Sequence, residues 1–175
     1  MVKETKQLKI DLGCGPNKKE GFYGVDSMKF KGVDKVADLT KKWPFKDNSV
    51  DEAHASHVVE HFDAKDRIHF ANELYRVLKK GAKATIIVPH WASMRAYGDL
   101  THKWPPISEF WFYYLSTEWR KVNAPHNTGY KCDFDVTWGY SMRQDLAVRN
   151  QEYQQFAMAN HKEACQDTIA TFVKK

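Results

Sequence analysis

Cysteine is scarce. Cys14, Cys132 and Cys165 are the only three in 175 residues, and no two stand in a C-x-x-C spacing. An odd, scattered set excludes a disulfide framework and predicts a reduced, cytoplasmic setting. Long apolar runs are missing as well. The opening Met1-Val2-Lys3-Glu4-Thr5-Lys6 is charged and no hydrophobic stretch follows it. From that pattern neither a signal peptide nor a membrane span is expected. There is also no internal repeat and no low-complexity tract, so one domain over residues 1–175 is expected.

What remains is the composition of a protein with a real core. Hydrophobic residues make up 42% and charged residues 28%, which excludes wholesale disorder. The formal charge is +5, from 27 Lys and Arg against 22 Asp and Glu. That excess permits a polyanionic partner such as a nucleic acid. The charges are scattered rather than gathered in one run, so an ordinary solvated surface is the simpler reading.

Short apolar runs bounded by turn residues predict strands at 8–12, 22–26, 33–37, 50–55 and 84–88. Between the last two, Asp63 can cap a helix whose face is Ile68, Ala71, Leu74, Tyr75 and Leu78. Lys79 and Lys80 suit its C-terminal end, and Gly81 is expected to stop it. Strand, helix, strand predicts a right-handed parallel crossover. The first half is abbreviated. Residues 16–21 and 27–32 are too few for a crossover helix, since six residues make under about two turns. Loops or single turns are expected there, leaving one sheet face thinly covered or covered by another part of the chain. Alternation at 133–141 predicts a half-buried strand, 151–165 a helix, and 168–173 a closing antiparallel strand.

The chemistry gathers at the ends of the first strands. Lys9-Ile10-Asp11-Leu12-Gly13-Cys14-Gly15 reads as a buried strand entering a tight glycine turn, where a ligand can approach the backbone. In a parallel α/β sheet such turns lie where nucleotide cofactors bind. Asp26 and Asp38 end the next two strands.

Six segments, taken in order, resemble one family. They are Asp11-Leu12-Gly13-Cys14-Gly15-Pro16, Gly24-Val25-Asp26, Ala37-Asp38-Leu39, Trp43-Pro44-Phe45-Lys46-Asp47-Asn48-Ser49-Val50-Asp51, His57-Val58-Val59-Glu60-His61 and Glu73-Leu74-Tyr75-Arg76-Val77-Leu78-Lys79-Lys80-Gly81. Their order and spacing over residues 8–90 are similar to class I S-adenosylmethionine-dependent methyltransferases of the small type with a shortened N-terminal half. Asp99-Leu100-Thr101-His102 is similar to a segment in some members. The resemblance implies an α/β fold with a Rossmann-like, mostly parallel sheet of about seven strands and an antiparallel C-terminal strand. It implies S-adenosylmethionine as cofactor, held by Asp11, Gly13, Cys14, Gly15, Asp26, Asp38 and Leu39. Asp11 would hold the methionine ammonium, Asp26 the ribose hydroxyls and Asp38 the adenine amino group, with Leu39 on the ring. Each aspartate also suits a plain turn at a strand end.

Two departures bear on this. A third glycine is common in the family's turn, and Asn17 stands there. A nicotinamide reading fits worse, because Lys18 takes the third glycine's place in G-x-G-x-x-G and Asp26 follows Gly13 by only thirteen positions.

Methyl transfer from a sulfonium is a direct displacement in which alignment supplies most of the catalysis. A base is needed only where the acceptor must lose a proton. His57, His90 and His102 are the candidates, with His57 and His102 singled out as catalytic; a capping or packing imidazole is the plainer alternative for His57. His57 and His61 stand at i, i+4 with Glu60 between them, but the pattern is not H-E-x-x-H and no cysteine pair accompanies it, so no metal is expected. Residues 91–119 carry nine of the 24 aromatics. A lid-like insertion over about 90–132 and a second hydrophobic cluster both explain that density. Ala55-Ser56-His57-Val58 stands where methyltransferases of exocyclic base amines resemble one another in an Asn/Asp-Pro-Pro-aromatic run. Trp104-Pro105-Pro106-Ile107 lies after the fifth strand and is not that motif. The acceptor expected is a small molecule or sugar-like group, with a nucleic acid as the second enzymatic reading and a non-catalytic cofactor-binding or interaction module as the third.

Overall fold

The computed structural model describes residues 7–175; the charged opening 1–6 lies outside the described residues. Seven strands form one sheet in the order β3-β2-β1-β4-β5-β7-β6. They are β1 (Lys9–Leu12), β2 (Tyr23–Asp26), β3 (Lys35–Val36), β4 (Val50–Ser56), β5 (Leu78–Pro89), β6 (Phe134–Met142) and β7 (Cys165–Lys174). The first five run parallel, and β7 is inserted antiparallel between β5 and β6. This is the α/β sheet expected, with its antiparallel C-terminal end.

Helix α1 (Ala64–Val77) makes the crossover from β4 to β5. Asp63 caps it as its position predicts, its carboxylate accepting the Asp66 N–H at 2.9 Å. Phe70, Leu74 and Val77 are fully buried along the face it turns to the sheet. The other helices are α2 (Arg95–Gly98), α3 (Phe110–Tyr113), α4 (Thr117–Asn123), α5 (Gln144–Ala147) and α6 (Gln151–Asn160). No helix occupies 16–21 or 27–32. Among the described residues no helix is long and apolar enough to cross a membrane.

Gly81 does not end α1. The helix stops at Val77, and Leu78 is already extended and paired with Val50. Outside donors make the stop possible without a glycine. Asn48 and Ser49 donate their N–H groups to the carbonyls of Arg76 and Val77, at 2.9 Å each. Lys174 Nζ, from the end of β7, reaches the carbonyls of Tyr75 and Leu78. Carbonyls left over at a helix end need such partners. Gly81 instead sits at φ 76°, in the stretch where the β4–β5 register shifts between Val50 and Glu52.

Strand residues alternate between two faces. One face is apolar: Ile10, Leu12, Val25, Ala53, Ala55 and Ile86 are each no more than 1% exposed. Onto it pack α1 and much of the aromatic stretch, with Trp111, Phe112 and Leu115 joining Phe134 and Phe172. The opposite face carries Asp11, His54 and Thr85 side by side in register. Segment 16–22 covers it there with a backbone N–H from Lys19 on Asp11 and the ring of Phe22 edge-on to His54.

Candidate functional site

The carboxyl ends of β1 and β2 and the segment after β3 meet at a cavity of about 280 Å³. Gly13, Asp26, Ser27, Asp38, Leu39, His57, Val58, His61 and Phe62 line it. The glycine turn is built by β2: the N–H groups of Gly13 and Cys14 both point at the Val25 carbonyl, at 2.8 and 3.2 Å. Gly13 sits at φ 65°, and a Cβ there would fall 2.3 Å from Val58 Cγ2. The turn and the segment after β4 therefore approach as closely as they do only because position 13 has no side chain.

Asp26 is 9% exposed and holds the turn from the other side. One oxygen accepts the Gly15 N–H at 2.8 Å and the other the Met28 N–H at 2.9 Å. A carboxylate offers about four lone-pair sites, so each oxygen keeps capacity for a further donor. Asp38 accepts the N–H and the hydroxyl of Thr40 through one oxygen, at 2.9 and 2.7 Å. Those hydrogen bonds hold its carboxyl below the usual range, the hydroxyl contributing most. Leu39, Val58 and Phe62 supply apolar wall. Two acceptor-only groups beside apolar side chains suit a diol and an amino group carried by a flat ring, the donor set of an adenosine.

The other residues singled out by sequence fall around this cavity rather than on it. Asp11 is 3% exposed and points to the opposite sheet face. Its oxygens take the Lys19 N–H and lie 2.7 Å from His54 Nδ1. Cys14 is buried, its thiol pushed up by burial and then by Asp11 and Asp26. Gly15 serves through its N–H to Asp26.

A second, more open cavity adjoins the first, and His57 and His61 line both. Its remaining wall is Pro89, Arg95, Gly98, Asp99, Leu100 and His102. His57 follows β4 directly, at φ 56°. Its Nδ1 lies 3.2 Å from Glu60 Oε1 and its Nε2 3.7 Å from Asp167 Oδ1. The Glu60 carboxylate holds the imidazole above its ordinary value, over the opposing pull of burial, and Asp167 adds to it. His90 lines neither cavity. It is 5% exposed, with Nε2 3.4 Å from Glu109 Oε1 and its ring against Trp91 and Tyr140. A separate cavity of about 530 Å³, walled by Trp91, Tyr97, Met158 and Lys162, holds none of the predicted site residues.

Sequence reasoning missed several contributors, Ser27 and His61 on the cavity wall among them. Val58 and Phe62 belong to the segment beginning at His57, and the positive φ there is what turns it over the cavity. Asp167 arrives from β7, bound to Arg95 at 3.0 Å, and no local spacing announces it.

Residues 10–86 match the family model described as a methyltransferase domain. No curated protein matches. Among solved structures, a SAM-dependent methyltransferase from Archaeoglobus fulgidus is similar, at 18% identity and a TM-score of 0.68, over 96% of this chain and 86% of that one. Geranyl diphosphate C-methyltransferase from Streptomyces coelicolor A3(2), in complex with Mg2+, geranyl diphosphate and S-adenosyl-L-homocysteine, is 15% identical with a TM-score of 0.54, over 97% and 74%. Phosphoethanolamine N-methyltransferase 2 from Haemonchus contortus, with S-adenosyl-L-methionine, is 18% identical with a TM-score of 0.51, over 97% of this chain and 49% of that one. At these identities the likeness is one of fold.

Proposed function

We propose that this chain, which belongs to the class I S-adenosylmethionine-dependent methyltransferases, methylates a small molecule or sugar-like group held in the cavity that adjoins the cofactor's. The observation that supports this most is the shared wall: His57 and His61 border both spaces, so a cofactor in the smaller one would present its methyl toward the larger. Asp26 is assigned the ribose hydroxyls, Asp38 the adenine amino group and Leu39 the face of the ring. Gly13 keeps the backbone clear of the cofactor, while Cys14 and Gly15 fix the turn. Asp11, tied to Lys19 and His54, acts on the methionine end only through the position of that turn.

The bound cofactor supplies an electrophilic methyl on a sulfonium that leaves as a neutral thioether, so the chain needs no acid. Its residues align the acceptor and exclude water. His57 is placed to accept a proton where the acceptor must lose one, and His102 stands farther along the same cavity. The domain works as one unit over 1–175, residues 90–132 covering the sheet face and its carboxyl edge together. Three free, buried cysteines suit a cytoplasmic setting.

Removing the Asp26 carboxylate tests the cofactor half. Hydrogen bonds to a charged group are worth about 1.5–3 kcal/mol. Asp26→Ala and Asp26→Asn are therefore expected to weaken S-adenosylhomocysteine by about tenfold or more, with Asp26→Asn folding normally by circular dichroism. Unchanged calorimetric affinity in a folded variant removes Asp26 from the site. Tritiated-methyl transfer to fractionated small molecules tests the acceptor half. Transfer confined to RNA or DNA fractions, with affinity falling steeply in salt, replaces that reading.

A further inference from the structure

Behind the shared wall stands a group that methyl transfer does not use. Glu60 is 4% exposed, and neither of its carboxylate oxygens has a hydrogen-bond partner. Its neighbour His57 is near but not aligned to donate, and Arg67 meets it through its backbone carbonyl instead. A buried carboxylate whose oxygens accept no well-formed hydrogen bond is costly, and His57 faces only one of the two, so the other is open to a cation.

Two imidazoles stand beside this carboxylate, His61 and His102, their rings edge-to-face with centroids 4.8 Å apart. Glu60, His61 and His102 each offer one ligand atom within 4.8 Å of the others. The ring nitrogens are already assigned by their far-side partners. Thr101 Oγ1 lies 2.7 Å from Asp99 Oδ1, which only accepts, so the hydroxyl proton goes there. Thr101 Oγ1 must then accept from His61 Nδ1, 2.9 Å away. Asp99 is held below the usual carboxyl range by that hydroxyl first and the Thr101 N–H second, as an ionised acceptor should be. His102 Nδ1 donates to the Ala96 carbonyl at 3.2 Å. In the neutral tautomer that these contacts select, each ring would carry its proton on Nδ1 and offer Nε2 as a ligand. A neutral imidazole fixed through its other nitrogen by a carbonyl or a carboxylate relay is the usual state of a metal-ligating histidine.

We propose that Glu60, His61 and His102 bind one divalent first-row transition-metal ion at the seam between the two cavities. Two imidazoles and a carboxylate are a borderline donor set that suits zinc, cobalt or manganese and serves magnesium poorly. Ligands on one such ion sit at most about 4.4 Å apart, from metal–ligand distances of about 2.0–2.2 Å. That limit holds for two ligands across the ion; a tetrahedral site holds them about 3.3–3.6 Å apart, so side-chain rotation must draw the three groups together. The i, i+4 pair His57 and His61 that spacing brings to notice is not the pair used; His102 replaces His57, brought in by the 99–102 turn. This binding does not depend on the identity of the methyl acceptor or on cofactor affinity.

The test is titration of the untagged full chain, without cofactor, with Zn2+ by calorimetry and with Co2+ by visible absorption. One site per chain is expected, with visible cobalt bands and Mg2+ at least about tenfold weaker. Glu60→Gln, His61→Ala and His102→Ala should each weaken Zn2+ by about tenfold or more, while His126→Ala, at an exposed position, changes nothing. Glu60→Gln keeps the side chain's size and shape, and circular dichroism checks its fold, which keeps the test readable. Absent Zn2+ binding, Zn2+ affinity unchanged in folded Glu60→Gln, or Mg2+ binding as tight as Zn2+ overturns the proposal.

Discussion

The sheet presents two faces that solve burial differently. On one, Ile10, Leu12, Val25, Ala55 and Ile86 lie under α1 and the aromatic stretch, sealed from water by apolar contact. On the other, Asp11 and His54 lie under the segment 16–22 and are satisfied by hydrogen bonds, the Lys19 N–H on Asp11 and the Asp11–His54 pair. The first arrangement carries stability. The second holds the position of a turn, because Asp11 stands two residues before Gly13 and is pinned by the segment that follows Gly15. A fold can therefore lose a crossover helix and keep its ligand-binding edge, provided polar groups replace the helix's apolar contacts.

Substitutions on each side should separate these roles. Phe70 is fully buried, its ring 5.2 Å from that of Trp43, and Phe70→Ala is expected to cost about 3–5 kcal/mol in urea unfolding. A loss under about 1 kcal/mol there would break the contrast. Gly13→Ala should come next. It forces an L side chain into the left-handed region, costing about 1–2 kcal/mol, and drives Cβ onto Val58. It should therefore abolish cofactor binding in protein that still folds. Glu73 sharpens the comparison by pH. Burial pulls its carboxyl upward, but hydrogen bonds from Arg76 and from the Trp43 N–H outweigh that and hold it below its ordinary value of 4.5. A carboxyl lowered on folding contributes stability above its unfolded value and loses it as pH falls through the folded one. Glu73→Gln should thus cost about 1–3 kcal/mol at neutral pH and progressively less as the pH drops below about 4.5, read from melting temperature against pH.

Local pattern carried most of the parallel half. The strands ending at Leu12 and Asp26, the Asp63 cap and the absence of helices at 16–21 and 27–32 all follow from runs of a few residues. What was hidden depends on distance in the chain. Gly81 looks like a helix stop because lysines precede it; the actual stop is made by Asn48, Ser49 and Lys174, and no window around Val77 contains them. The site divides the same way. Asp26, Asp38 and Leu39 are legible because each ends or follows a strand, whereas Asp11 looks equivalent but stands one residue before the end of β1, where the Lys19 N–H and His54 occupy its carboxylate. The aromatic stretch could be read as lid or as core; Trp111 and Phe112 went to the core, while Trp91, Tyr97 and Trp104 stayed outside.

Lys174 joins the end of the described chain to a helix laid down about a hundred residues earlier. Its ammonium, depressed by burial, closes that helix from within a strand that also delivers Asp167 to His57. Without β7 the parallel half would leave this end of α1 unsealed and His57 without the Asp167 carboxylate. One strand, β7, thus completes both the helix end and the carboxylate pair around His57.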